Sequence, residues 1–183
     1  MTGHTRRALD LNEARYFLER TPATLNAWLR DLPDGFQSAN EGGESWNPRD
    51  VIEHLTLMEH TNWMPRIRWV LDHGTNAPFP PIARIDESHR KPGATITQLL
   101  DDFATCRQSN VADLLALQLT NADLDRTAIH PSFGIVTLRQ LLATWVTHDF
   151  DHLTQITRVI ARQYSDEVGP WRAYLRVISG NPG

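Results

Sequence analysis

Four long stretches of this chain repeat apolar residues at helical spacing, and no convincing period-two alternation marks a strand. Leu11, Ala14, Phe17, Leu18, Leu25, Trp28 and Leu29 form the first stripe, predicting a helix from Leu9 to about Asp31. Pro22 is expected to break or kink it, because an interior proline loses a hydrogen bond and clashes with the preceding turn. A second helix is predicted from Asn47 as N-cap, with Pro48 at the first helical position and Asp50 near the positive end of the dipole. It runs to about Leu71 and bends at Pro65. Thr95 with Gln98, and Thr137 with Gln140, have the spacing of capping boxes. They open a third helix, whose stripe includes Ile96, Leu99, Phe103, Cys106, Val111 and Leu114, and a fourth that lasts to about Tyr164. "WRAYLRVIS" predicts a short C-terminal helix packed on the outside. The expected fold is all-α: a four-helix bundle whose long connections let helices neighbour one another out of sequence order.

Composition narrows what such a bundle can do. The 183 residues suit a single domain, expected over 9–183 behind a disordered tail at 1–8. A net charge of −4 provides no basic footprint, which argues against a nucleic-acid partner. The N-terminus lacks the pattern of a signal peptide, and no apolar run is long enough to span a membrane. One cysteine, Cys106, excludes an internal disulfide and predicts a cytoplasmic location. It also excludes a zinc site built from several thiolates, so any metal must be held mainly by histidine and carboxylate.

The fourth stripe contains an anomaly. It reads Leu138, Leu141, Trp145, His148, His152, Ile156, Val159, with two imidazoles where apolar side chains would pack. Residues four apart share a helix face, so this spacing lets both imidazoles bind one ion. Such a pair is not rare in a chain with eight histidines, and two hydrogen-bonded core histidines are the alternative. On the second helix, Val51, His54, Leu55 and Met58 form the inward stripe, so His54 also replaces a core residue. Three imidazoles in one core are costly to bury unless each nitrogen finds a partner, and a metal ion partners all three at once. Asp50, Asp149 and Asp151 are the candidates to hold the outer nitrogens of these rings, against helix-start and solvated roles. His60 falls on another helix face, while His4, His73, His89 and His130 lie in tails or loops; His130 alone is a candidate for a cavity mouth. Cys106 is read as a buried structural thiol, and Trp46, Trp63 and Trp145 as core or pocket-lining aromatics.

"WNPRDVIEHL", then Gly134 ahead of "TLRQLL", then "HDFDHLTQI", resemble in order the DinB/YfiT-like superfamily, in particular its DinB-like branch. The resemblance covers roughly Leu9 to Arg162 and implies a four-helix bundle with a three-histidine metal site facing a cavity. It gives His54, His148 and His152 the ligand roles, with zinc or nickel the expected divalent ion, and homodimers are common in the family. Relatives that transfer or isomerise through a low-molecular-weight thiol imply a metal-dependent enzyme that activates such a thiol against a small-molecule substrate. Metal-dependent hydrolysis needs the same ligands and is the alternative, as is a non-catalytic metal-binding or regulatory bundle.

Overall fold

The computed structural model describes residues 7–82 and 90–179; His4, His89 and most of the tail expected at 1–8 lie outside the described residues. The chain runs α1 (Leu11–Leu29), α2 (Asp34–Gln37), α3 (Pro48–Thr61), α4 (Trp63–His73), α5 (Ile96–Ala116), α6 (Asn121–Leu124), β1 (Thr127–His130), β2 (Gly134–Thr137), α7 (Leu138–Arg162), a 3-10 segment (Gly169–Tyr174) and α8 (Arg176–Ser179). The fold is an all-α four-helix bundle of α1, α3, α5 and α7, with α4 continuing α3 and α8 packed on α7. Both α1 and α3 pack on α5 and α7, so α1 has its main contacts with α5 and α7 rather than with α3, the bundle helix that follows it in the chain. The long connections allow that order.

The predicted caps form. Asn47 accepts from the Asp50 N–H at 3.0 Å while Asp50 accepts from the Asn47 N–H at 3.1 Å. Thr95 and Gln98, and Thr137 and Gln140, exchange the same reciprocal pair of bonds. Each box satisfies two donors that a helix start leaves orphaned.

The two prolines have different outcomes. Pro22 sits inside α1 without breaking it. A proline cannot donate to the carbonyl four residues back, here Leu18, and the Arg107 guanidinium donates to that oxygen instead at 3.1 Å. Pro65 does not bend one long helix. α3 ends at Thr61, the residue whose carbonyl the proline ring would strike, and α4 restarts after Asn62. Pro65 then lies in the first turn of α4, where an amide N–H has no partner to lose.

A small β-hairpin, absent from the sequence reading, fills the second long connection. β1 and β2 pair antiparallel from Thr127↔Thr137 to His130↔Gly134. Gly134 closes its three-residue loop with φ +72°, a conformation that favours glycine. Four-residue strands are too short to show a period, which is why this stretch reads as loop. Phe79 donates its N–H to Ile129 at 2.9 Å, so part of the first long connection docks on the same hairpin.

The apolar interior forms two clusters, and each draws on α1, α3, α5 and α7. One holds Leu18, Met58, Val111 and Trp145; the other holds Leu25, Ile52, Phe103 and Ile156. They are successive levels of one bundle. Between them stand Thr21 on α1, Arg107 on α5, and Asp149 with His152 on α7, all buried, and the buried Glu59 of α3 bonds to Arg107.

Candidate metal centre

His54 from α3 and His148 and His152 from α7 converge within that polar level. The Nε2 atoms of His54 and His148 are 3.2 Å apart, although the residues are 94 positions apart in sequence. The Nε2 atoms of His148 and His152 are 3.1 Å apart. Nitrogens bound tetrahedrally to zinc at about 2.0–2.1 Å would stand about 3.3 Å from one another, so the cluster has the dimensions of a metal site. One ligand atom from each residue lies within 4.8 Å of the others.

The chemistry of the three nitrogens fits a cation. His152 turns its Nδ1 to the Gln155 side-chain oxygen at 2.9 Å; the carbonyl oxygen accepts, leaving the Nε2 lone pair for the cluster. His148 Nδ1 is buried without a partner among the described residues. Burial, then the neighbouring His152, lowers the His54 pKa to about 4; burial, then His152, His54 and Arg107, lowers that of His148 to about 3. Both rings are therefore neutral at pH 7, the form in which imidazole binds metal. A cation between the three nitrogens would accept a lone pair from each.

These shifts carry a stability prediction for metal-free protein. With folded values below the ordinary 6.5, the unfolded chain binds more protons as pH falls from about 6.5 towards 3, so stability declines over that window. Urea midpoints of the chelated protein should fall between pH 7.5 and pH 5, with a shallower slope in His148→Ala. Parallel slopes in the two proteins would show that His148 does not contribute.

None of the carboxylates nominated from sequence bonds an imidazole among the described residues. Asp50 is buried in its capping box and pairs with Arg90. Asp151 is exposed, as a solvated face predicts. Asp149 is not solvated: it is 3% exposed and binds Arg107 through both oxygens, at 2.5 and 2.9 Å, and Thr21 at 2.7 Å. Arg107 also donates to Glu59 at 2.8 Å, and Glu59 accepts from Trp145 Nε1 at 3.1 Å and from Asn110 at 2.9 Å. Sequence reasoning missed Arg107 and Gln155. The Gln155 signal was present, since residue 155 lies one turn beyond His152. Arg107 takes the core position that the stripe assigned to its neighbour. Cys106 is half-buried instead, with Sγ 3.2 Å from His60 Nε2, and burial followed by the Glu59 and Asp102 charges raises its pKa.

A cavity of about 740 Å³ opens onto His54. Its wall includes Trp46, Met58, Arg66, Ile82, Arg90 and His130. Trp46 packs against His54 with ring centroids 4.7 Å apart, at the edge of the cluster. Trp63 and Trp145 are core residues, stacked at 5.8 Å, with Trp63 edge-on to His148. His130, at the end of β1, reaches the cavity, whereas His73 stacks on Trp69 at the end of α4.

The chain is thus a four-helix bundle with three clustered histidines, one of them lining an open cavity. The sequence model of the DinB superfamily matches residues 18–156, and this chain belongs to that superfamily. Among solved structures it is similar to YfiT from Bacillus subtilis, described as "a probable metal-dependent hydrolase with an unusual four-helix bundle topology". The two are 22% identical with a TM-score of 0.69, over 88% of this chain and 93% of the other, which establishes a common fold. A comparison with curated proteins gives no match. Among the described residues no helix is long and apolar enough to cross a membrane.

Proposed function

We propose that this protein is a divalent-metal-dependent enzyme acting on a small molecule, with His54, His148 and His152 as the metal ligands. The observation that carries the reading is the convergence of three Nε2 atoms beside a cavity of about 740 Å³. Three protein ligands leave a coordination position open, as catalytic sites do, whereas closed four-ligand sites are usually structural. Zinc or nickel suits three imidazoles. A bound divalent cation supplies the charge that lowers the pKa of a thiol or a water and so provides a nucleophile at neutral pH.

The chain's own residues supply the rest. Gln155 holds the His152 ring with Nε2 towards the cluster. The Trp63 and Trp145 rings pack behind His148 and exclude water from that side. Trp46 forms a flat apolar edge against which a substrate can lie. In the first reading the nucleophile is a low-molecular-weight thiol and the reaction is thiol transfer or isomerisation. Cys106 is not that thiol: it is outside the described cavity wall, and its raised pKa disfavours the thiolate. Hydrolysis is the second reading, favoured by the description of the structural neighbour YfiT. A chain with one cysteine suits a reducing cytoplasm. Homodimerisation belongs to the same proposal.

Protein purified without a metal-affinity tag should contain about one equivalent of zinc or nickel by elemental analysis. Chelation should abolish turnover while the far-ultraviolet circular dichroism keeps its helical signature. A substrate screen with and without added thiol separates thiol transfer from hydrolysis. Cys106→Ser should retain its metal and most of its activity in either case. A metal-free wild type, or turnover that depends on Cys106, would end the metal-enzyme reading.

A further inference from the structure

The cavity wall contains a cation, Arg66, that has no counterion among the described residues. Arg66, in the first turn of α4, is 7% exposed and lines the same cavity as His54. Among the described residues its guanidinium has no hydrogen-bond acceptor and no carboxylate; its closest aromatic contact is the Phe79 ring, whose centroid is 4.7 Å from Cζ. The protein treats its other deeply buried guanidinium very differently, pairing Arg107 with both Asp149 and Glu59. A guanidinium stays protonated at neutral pH and offers five donors, and here they face the cavity rather than a protein acceptor among the described residues.

His130 adds a second donor to this wall. Its Nδ1 accepts from the backbone N–H groups of Ser132 at 3.1 Å and Phe133 at 3.3 Å. The remaining ring nitrogen, Nε2, therefore carries the proton. The described wall otherwise consists of apolar side chains, Ser132, His54 and Arg90, the last paired with Asp50 and Glu53, and it includes no carboxylate. At about 740 Å³ the space suits a small metabolite rather than a peptide or a nucleic acid.

We propose that this cavity takes a small anionic molecule, with Arg66 and the Nε2–H of His130 binding its carboxylate or phosphate while the rest of it extends to the histidine cluster. The inference rests on reading the cavity as the substrate chamber of the proposed enzyme. Arg66 is its specificity residue, setting which molecules enter in the right orientation. A planar guanidinium meets a carboxylate or a phosphate through two parallel hydrogen bonds, whereas a lysine meets either as a point charge.

The test is a titration of the full-length protein, as purified and after chelation, with succinate, inorganic phosphate and neutral succinamide. Binding is read from the Arg66 Nε–H and Trp46 indole N–H resonances. Succinate or phosphate should bind saturably in both forms and succinamide should not; the tighter of the two anions names the group recognised. Arg66→Met should weaken anion binding at least tenfold without lowering the melting temperature, since an apolar side chain replaces an unpaired buried charge. Arg66→Lys should retain part of the binding, losing more for succinate than for phosphate. Wild-type anion affinity in Arg66→Met, equal binding of succinamide, or no anion binding to the wild type would each overturn the proposal. Anion binding that vanishes on chelation and ignores Arg66 would also overturn it, while supporting the metal centre. Arg66-dependent binding in a protein that holds no metal would leave it standing and remove the metal reading.

Discussion

His148→Ala is expected to reduce bound metal to background and abolish turnover while leaving a folded helical bundle. Its Nε2 is the nitrogen common to both short contacts in the cluster, 3.2 Å from His54 and 3.1 Å from His152. Removing it leaves two imidazoles, too few for the open three-ligand site. The fold should tolerate the loss, because the two apolar clusters that hold the bundle lie on either side of this level. The deletion also removes a buried Nδ1 that has no partner, so the stability cost should be only about 1–3 kcal/mol. Elemental analysis, circular dichroism and turnover on wild type and variant are the measurements. A variant that keeps stoichiometric metal would refute the ligand assignment. One that unfolds would show the ion to be structural and favour a non-catalytic binding module.

The largest expected loss of stability lies at a residue outside the cluster. Arg107→Met should cost about 3–5 kcal/mol, because removing one partner of a buried ion pair strands the other. Here it strands two carboxylates, Asp149 and Glu59, whose side chains are 4% and 0% exposed. It also strands the Leu18 carbonyl, which Pro22 leaves without its helical donor. Native domains are stable by only about 5–15 kcal/mol, so the variant should sit near the limit of folding at 37 °C. Urea unfolding of the variant measures the loss. Adding Asp149→Asn to Arg107→Met should recover part of it, since one of the stranded charges is then removed. An Arg107→Met midpoint close to wild type would mean that water reaches these groups in solution.

Much of the bundle was legible because helix signals are local. The Thr95 and Thr137 boxes depend on residues three apart and form as their spacing predicts, and Asn47 caps its helix as its residue type predicts, with Asp50 adding the reciprocal bond. Helix ends governed by proline were less legible, because Pro22 and Pro65 have the same local chemistry and opposite outcomes. Arg107, from another helix, supplies the donor that α1 needs, whereas the chain at Pro65 resolves the clash by ending α3. The hairpin escaped notice because its evidence is pairing across a turn and docking against Phe79, neither of which leaves a period in four residues.

The sequence by itself determined that His148 and His152 share a face and that His54 falls on the apolar stripe of its helix, since residues three and four apart lie on one side. It could not determine what the other polar residues of that level do. Asp149 and Cys106 read as a solvated carboxylate and a core thiol; the tertiary structure makes Asp149 a buried partner of Arg107 and turns Cys106 towards His60. A helical period assigns a direction only to within a residue or so, about 100° of rotation, and the packing of α5 against α1 and α3 decides which neighbour points inward. Likewise the meeting of His54 with His148, and of Arg66 with the same cavity, depends on contacts between segments far apart in the chain. Burial and counterions belong to the assembled bundle, so only there is it decided that Arg107 pairs with two carboxylates while Arg66 lines the cavity.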